Sequence, residues 1–291
     1  MSTCSTERER LPDGKYRFDV QDGLRQCAAA GFSAVDFNFA AVGKLTNILD
    51  DNGWKDWVLS VRDVAQQLNL TFVQTHAHWF YLSECTTNEM LHRNELLVRR
   101  SVESTSLLGP GIWMVTHPRS VFDAEGFNLQ KTLEYNYASF SELGELGNRF
   151  GVGIAIENLP PTKNIAYGIT TEELLCVMEK LHDPVFGICW DFGHGNLAGL
   201  DTVVSLGEVG KYLKATHVHD NKRKGDDHFP PFYGNIPWEN VMKQLKEIGY
   251  TGAFNFEEHA SYLAFPSALR DDMLKHMHTI GEYLLSVYEN A

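Results

Sequence analysis

Six short apolar or β-branched runs of this chain end on residues that can hold a metal or move a proton: His76, His117, Glu157, Asp191, His217 and Glu257. His, Asp and Glu are the ligand types that Zn²⁺, Mn²⁺, Co²⁺ and Mg²⁺ accept. Glu157 closes GIAIE and Glu257 closes AFNFE. Each should therefore be partly desolvated, and a buried carboxylate is costly unless a cation or donors meet it. Taken alone, one His or Asp at a strand end reads as a capping or surface residue. Six in register point to a shared divalent cation. The flanks carry more of the same chemistry. Asp191-Phe-Gly-His194 sets an imidazole three residues after a carboxylate, and Asp226-Asp227-His228 lies in a polar loop that reads equally as a second metal site or a solvated turn. His217 and His219 flank Val218, and we expect only one of them to face the interior; the residues alone leave open which.

Such a set needs a scaffold that gathers strand ends. The strand-like runs cover 33–39, 71–76, 112–117, 153–157, 186–191, 215–220 and 253–257. Helical periodicity covers 19–30, 54–69, 88–108, 132–150, 170–181, 203–213, 237–248 and 267–288. Local signals punctuate them. Gly31 reads as a helix-ending glycine, Thr170 with Glu173 as a capping box, and Pro237 as a helix start. Alternation of strands with helices of this length implies βαβ units and a parallel sheet. The six strand ends are roughly 26 to 41 residues apart, near the ~30 of a (β/α)₈ barrel divided by eight. Neither GxGxxG nor a P-loop is present, which disfavours an open nucleotide-binding sheet. We expect an α/β fold, a (β/α)₈ TIM barrel forming one domain over residues 1–291, with MSTCST supplying the tail of a short first strand.

Composition narrows the partners. The 291 residues carry a formal net charge of −13, which disfavours nucleic acid as a bulk partner. The five cysteines (Cys4, Cys27, Cys85, Cys176 and Cys189) form no CxxC pair, so a reducing, cytoplasmic setting is expected. The N-terminus lacks the apolar segment of a signal peptide, and no apolar run approaches the ~18 residues of a membrane span. A small molecule is the expected partner, and a homo-oligomer is compatible with everything read here.

The motifs His76-Ala77, His117-Pro118, Glu157-Asn158, Asp191-Phe-Gly-His194, His217-Val-His-Asp220, Asp226-Asp-His228 and Phe256-Glu257, with Gly234-Asn-Ile-Pro-Trp238 and Ile248-Gly-Tyr-Thr-Gly252, resemble the xylose isomerase-like TIM-barrel superfamily, also called AP endonuclease family 2. The resemblance covers nearly the whole chain and is weakest before Asp19. It implies a divalent metal (Zn, Mn, Co or Mg) held by Glu157, Asp191, His217 and Glu257. His217 is preferred to His219 because the family's ligand lies three residues before an acidic residue, here Asp220. It also implies that Glu157 and Glu257 are catalytic, and that His194, Arg223 and Asn158 bind substrate.

The expected activity is that of a metal-dependent sugar, sugar phosphate or polyol isomerase or epimerase, moving a proton between carboxylates on a chelated substrate. Trp79, Phe80, Trp113 and Trp238 could wall its pocket, since aromatic faces stack on sugar C–H surfaces. Two rivals share the fold: an endonuclease IV-like phosphodiesterase on abasic DNA and an inosose dehydratase-like lyase. The first would add His76, His117, His194, Asp226 and His228 as ligands of up to three zinc ions. Against it, Glu157-Asn158 runs into Leu-Pro-Pro, and DNA-contacting loops have no counterpart. Substrate hydrogen bonding is the other role for those histidines.

Overall fold

The computed structural model describes residues 1–6, 8–10 and 16–291. Six parallel strands form one sheet: β1 (Ala34–Asn38), β2 (Thr71–His76), β3 (Trp113–Thr116), β4 (Gly153–Glu157), β5 (Phe186–Asp191) and β6 (Leu213–His217). They neighbour one another in chain order, as right-handed βαβ crossovers require. The sheet then closes on itself through two rudimentary strands. Ser2 bridges Asp36 of β1, Phe256 bridges Val218 just beyond β6, and the Ser2 N–H donates to the Phe256 carbonyl at 2.8 Å. The expected first strand at MSTCST is thus one bridge, and the expected strand at 253–257 is another. That completes eight staves of an α/β barrel.

Long helices cover the outside, among them Trp54–Gln67, Asn88–Leu108, Leu129–Phe150, Thr171–Leu181, Trp238–Glu247 and Ser267–Glu289. Thr170 and Glu173 form the reciprocal capping box, and Gly31 takes a positive φ of 102°. Periodicity alone did not mark the short helices Phe39–Leu45 and Phe192–Leu197, each a single cap-driven turn or two begun by Asn38 and Asp191. The run expected to continue as strand to 220 leaves regular pairing after His217, where bridges to Phe256 and Phe229 take over. Cys27, Cys85, Cys176 and Cys189 are free thiols, and the Cys4 side chain lies outside those described. Among the described residues, no helix is long and apolar enough to cross a membrane.

Strand parity decides what points where. Met114, Ile154, Ile156, Ile188 and Trp190 belong to the main core under the helices. Their alternates Val115, Ala155, Cys189 and Ala215 make a separate small cluster, which faces the barrel interior. Continuing those interior positions upward gives His117, Glu157, Asp191, His217 and His219. On the first two strands the same rule selects Asp36, Asn38, Gln74 and His76.

Candidate metal centre

Three ligand clusters sit together at the C-terminal mouth of the barrel. Glu157, Asp191, His217 and Glu257 form one; His76, His117 and again Glu157 a second; His194, His219, Asp226 and His228 a third, with ligand atoms in each group within 4.8 Å of one another. His217 Nδ1 is 2.9 Å from Glu157 Oε1 and 3.5 Å from Glu257 Oε2. His117 Nε2 is 2.7 Å from Glu157 Oε2 and 3.0 Å from His76 Nε2. Glu157 is therefore the shared post of two clusters, and it is 1% exposed.

The donor set fits divalent cations. Two or more buried carboxylates aimed at one point repel unless a cation joins them. Among the described residues, the ion-pair partners of Glu157 and Asp191 are all imidazoles. The imidazoles are also prepared. Nδ1–H of His76 donates to the Ala77 carbonyl at 2.8 Å, that of His194 to Asn158 at 2.9 Å, and that of His228 to Glu257 at 2.6 Å. Each bond orients its ring so that Nε2 faces the clusters, the usual outer support of a histidine ligand.

Electrostatics sort the charged forms. Burial alone would raise the Glu157 carboxyl, but His217 and then His117 outweigh it and hold the group well below the usual carboxylate range. Asp191 is lowered against the same burial by His194 and His219. Burial pushes His117 down to about 3, only partly offset by Glu157.

Sequence reasoning missed Asp36. Its Oδ2 accepts from Gln74 Nε2 at 3.0 Å and Asn255 Nδ2 at 2.8 Å, and stands 3.3 Å from His217 Nε2. That orients His217 with Nδ1 toward the cluster, as a carboxylate behind a histidine ligand does. The signal was a carboxylate inside an apolar strand (SAVDFNF) rather than at its end. Asp36→Asn is expected to leave the protein folded and to lower metal affinity by roughly 10- to 100-fold. Competition against a chromogenic chelator measures this, and unchanged affinity would remove Asp36 from the site.

His219 was also misjudged. Positions two apart share a strand face, so both His217 and His219 point inward, and His219 Nε2 lies 3.0 Å from the Asp191 carboxylate. Gly193 makes this possible: a Cβ there would come within 2.0 Å of the His219 ring.

The pocket over the clusters has a volume of about 430 Å³, within the range of small-molecule sites. Its lining includes His76, His117, Glu157, His194, Asp226, His228 and Glu257, with Trp79 and Phe80 as aromatic walls. Four expected pocket residues do not line it. Trp113 opens β3, four residues before His117, hence ~13 Å down the strand at the far mouth of the barrel; it lies over Gly153, where a Cβ would meet the indole at 2.4 Å. Trp238 is core, its Nε1–H on Asp220 at 2.9 Å. Asn158 is fully buried and pairs with the Asp191 backbone in both directions, so it fixes that position and does not reach the pocket surface. Arg223 is drawn outward, Nε to Asn196 Oδ1 at 2.9 Å, because its backbone turns at a positive φ of 60°. Conversely, the pocket includes Lys44, Arg119 and Ser120, which no motif marked.

Comparison with known proteins agrees with this geometry. The family model described as xylose isomerase-like TIM barrel matches residues 24–278. An uncharacterised Methanocaldococcus jannaschii protein is 30% identical over 188 residues, 64% of this chain and 64% of that relative's length. Another uncharacterised protein, from Sinorhizobium fredii, is 38% identical over 71 residues, 24% of this chain and 23% of its own. Among solved structures, a D-tagatose 3-epimerase-like protein superposes with TM-score 0.77 at 22% identity, covering 100% of this chain and 97% of that one. A D-psicose 3-epimerase, crystallised in the presence of D-fructose, gives 0.75 at 13% identity, covering 98% of each chain. These similarities extend the fold over the full length.

Proposed function

Starting from the fact that the chain belongs to the xylose isomerase-like TIM-barrel family, we propose that it is a divalent-metal-dependent sugar epimerase or isomerase. The observation that carries this reading is the placement of Glu157 and Glu257 in one cluster with Asp191 and His217, at the floor of a sugar-sized pocket. The family's epimerase members among the structural neighbours, the D-psicose 3-epimerase included, support the same chemistry. A cation at this cluster, when bound, would supply Lewis-acid polarisation of a carbonyl or hydroxyl oxygen.

The chain's own residues supply the rest. Glu157, held ionised by its imidazole neighbours, is suited to take the proton from the carbon beside a ketose carbonyl. Glu257, 8% exposed at the pocket floor, returns a proton from the other face. Exchange between two carboxylates on opposite sides of one carbon inverts it. Trp79 and Phe80 wall the ring, and His194 offers Nε2 to a hydroxyl or to a metal.

Incubation with a panel of ketopentoses and ketohexoses in D₂O tests the reading. The epimeric product should carry deuterium at the inverted carbon, read by NMR. A panel with no exchange, or a product without label, overturns it.

The second and third clusters favour one further reading, a three-zinc phosphodiesterase of the endonuclease IV kind. Its ligands would be His76, His117 and Glu157 for one ion and His194, Asp226 and His228 for another, with His219 close by. The −13 net charge speaks against a DNA substrate. Cleavage of an abasic oligonucleotide by the zinc-loaded protein decides between them.

A further inference from the structure

We propose that the pocket carries an anion subsite built on Arg119 with Lys44 and Ser120, so that the substrate bears a phosphate or carboxylate remote from its reacting carbon. This rests on the sugar-epimerase reading above and narrows its substrate class to acidic ketoses.

Arg119 is 7% exposed and lines the pocket. Nη1 donates to the His117 carbonyl at 2.5 Å and the guanidinium lies 4.6 Å from the Phe80 ring centre. Those contacts fix the plane of the group without a carboxylate at ion-pair distance, Glu95 and Glu142 lying further off in the lining of a second cavity that Arg119 shares. Nε has no hydrogen-bond partner, and among the described residues Arg119 forms no ion pair. A buried cation without a counter-ion is costly, and retaining one in a cavity wall is understandable where a ligand brings the opposite charge. The planar fork of guanidinium donors matches the oxygen spacing of phosphate and carboxylate.

The neighbourhood agrees. Ser120 is 8% exposed; its Oγ accepts from the Ala166 N–H at 2.9 Å, which leaves the hydroxyl proton to donate. Lys44 stands at the rim, Nζ 3.2 Å above the Trp79 ring centre. Lys44 comes from the short helix after β1 and Arg119 and Ser120 from the loop after β3, whereas His194, Asp226, His228 and Glu257 come from the opposite half of the barrel. The pocket is thus polarised: cations on one side, carboxylates on the other. In a chain of net charge −13, that arrangement orients an acidic sugar with its charged end at Arg119 and its hydroxyl-bearing carbons over Glu157 and Glu257.

Calorimetric titration of the metal-loaded protein with inorganic phosphate and with acetate tests this. The expected result is saturable binding that weakens at least tenfold in Arg119→Gln and by an intermediate factor in Arg119→Lys, which keeps the charge but loses the fork. Stronger binding of phosphate assigns a phosphoryl group; stronger binding of acetate assigns a carboxylate. Anions held only by the metals would bind wild type and Arg119→Gln equally, and that equality, or no binding of either anion, overturns the proposal. Should Arg119→Gln fail to fold, Arg119→Lys and Lys44→Gln carry the same comparison. With turnover in hand, the ratio of kcat/KM for a ketose phosphate over its neutral ketose should fall at least tenfold in Arg119→Gln. Arg119-dependent phosphate binding without solvent exchange on any ketose would retain the subsite and discard the epimerase reading. Exchange on neutral ketoses with residue 119 irrelevant to anions would do the reverse.

Discussion

Glu157→Gln is expected to lose at least ~10³-fold in kcat while the barrel stays folded, the upper part of the range for removing a general base. The substitution keeps the side chain's shape but takes away its charge. Glu157 is the point where two clusters meet: its Oε1 faces His217 at 2.9 Å and its Oε2 faces His117 at 2.7 Å. An amide there can neither remove a carbon-bound proton nor anchor two imidazoles, so proton transfer and metal retention fail together. Two measurements separate those losses. Metal content of the purified variant reports the ligand role, and solvent deuterium exchange at saturating metal reports the base. Glu257→Gln touches only one cluster, so it should hold metal better than Glu157→Gln and still lose inversion. A Glu157→Gln enzyme within tenfold of wild-type kcat would end the role assigned to this carboxylate.

What could be read in advance followed from periodicity. Interior and exterior positions alternate along each strand, so once β4 is recognised, Ala155 and Glu157 must share the inside, and the same holds for Cys189 with Asp191. Strand-end residues were legible because a parallel barrel brings every C-terminal end to one mouth. The failures mark the limits of that rule. Trp113 sits on an interior position, but strand direction puts it at the wrong end. Asp36 was passed over because it works one residue pair below the end of β1, where only three-dimensional neighbours such as His217 and Asn255 reveal it. Arg119 lies in a loop and Lys44 at the end of the short helix Phe39–Leu45; the paths of such segments depend on tertiary packing and carry no periodic signal. The first and last staves shrink to single bridges at Ser2 and Phe256, too short for any pattern to register.

Removing metal with a chelator is expected to abolish turnover and to lower the melting temperature by on the order of 10 °C. The argument is one of linkage. An ion bound a thousandfold above its Kd stabilises the native state by about 4 kcal/mol, and for a chain of this size each kcal/mol moves Tm by ~2–4 °C. The site amplifies this because the ion does more than add contacts. Glu157, Asp191 and His217 are each no more than 1% exposed, and carboxylates at such depth destabilise the fold unless a positive charge meets them. Acidic and imidazole groups from four strand ends are therefore tied together through it. Readdition of one equivalent of Mn²⁺, Co²⁺, Mg²⁺ or Zn²⁺ should restore both Tm and activity if the cluster of Glu157, Asp191, His217 and Glu257 suffices for catalysis. Recovery that continues up to three equivalents would assign ions to His76 with His117, and to His194 with Asp226 and His228, as well. Two variants locate the extra ions. Asp226→Ala removes a ligand of the third cluster alone, and His76→Ala one of the second alone, so each should lower the stoichiometry by one where its cluster is filled. A melting temperature and activity indifferent to chelation would mean that these buried charges balance among themselves, and the metal-dependent chemistry proposed for them would fall with that result.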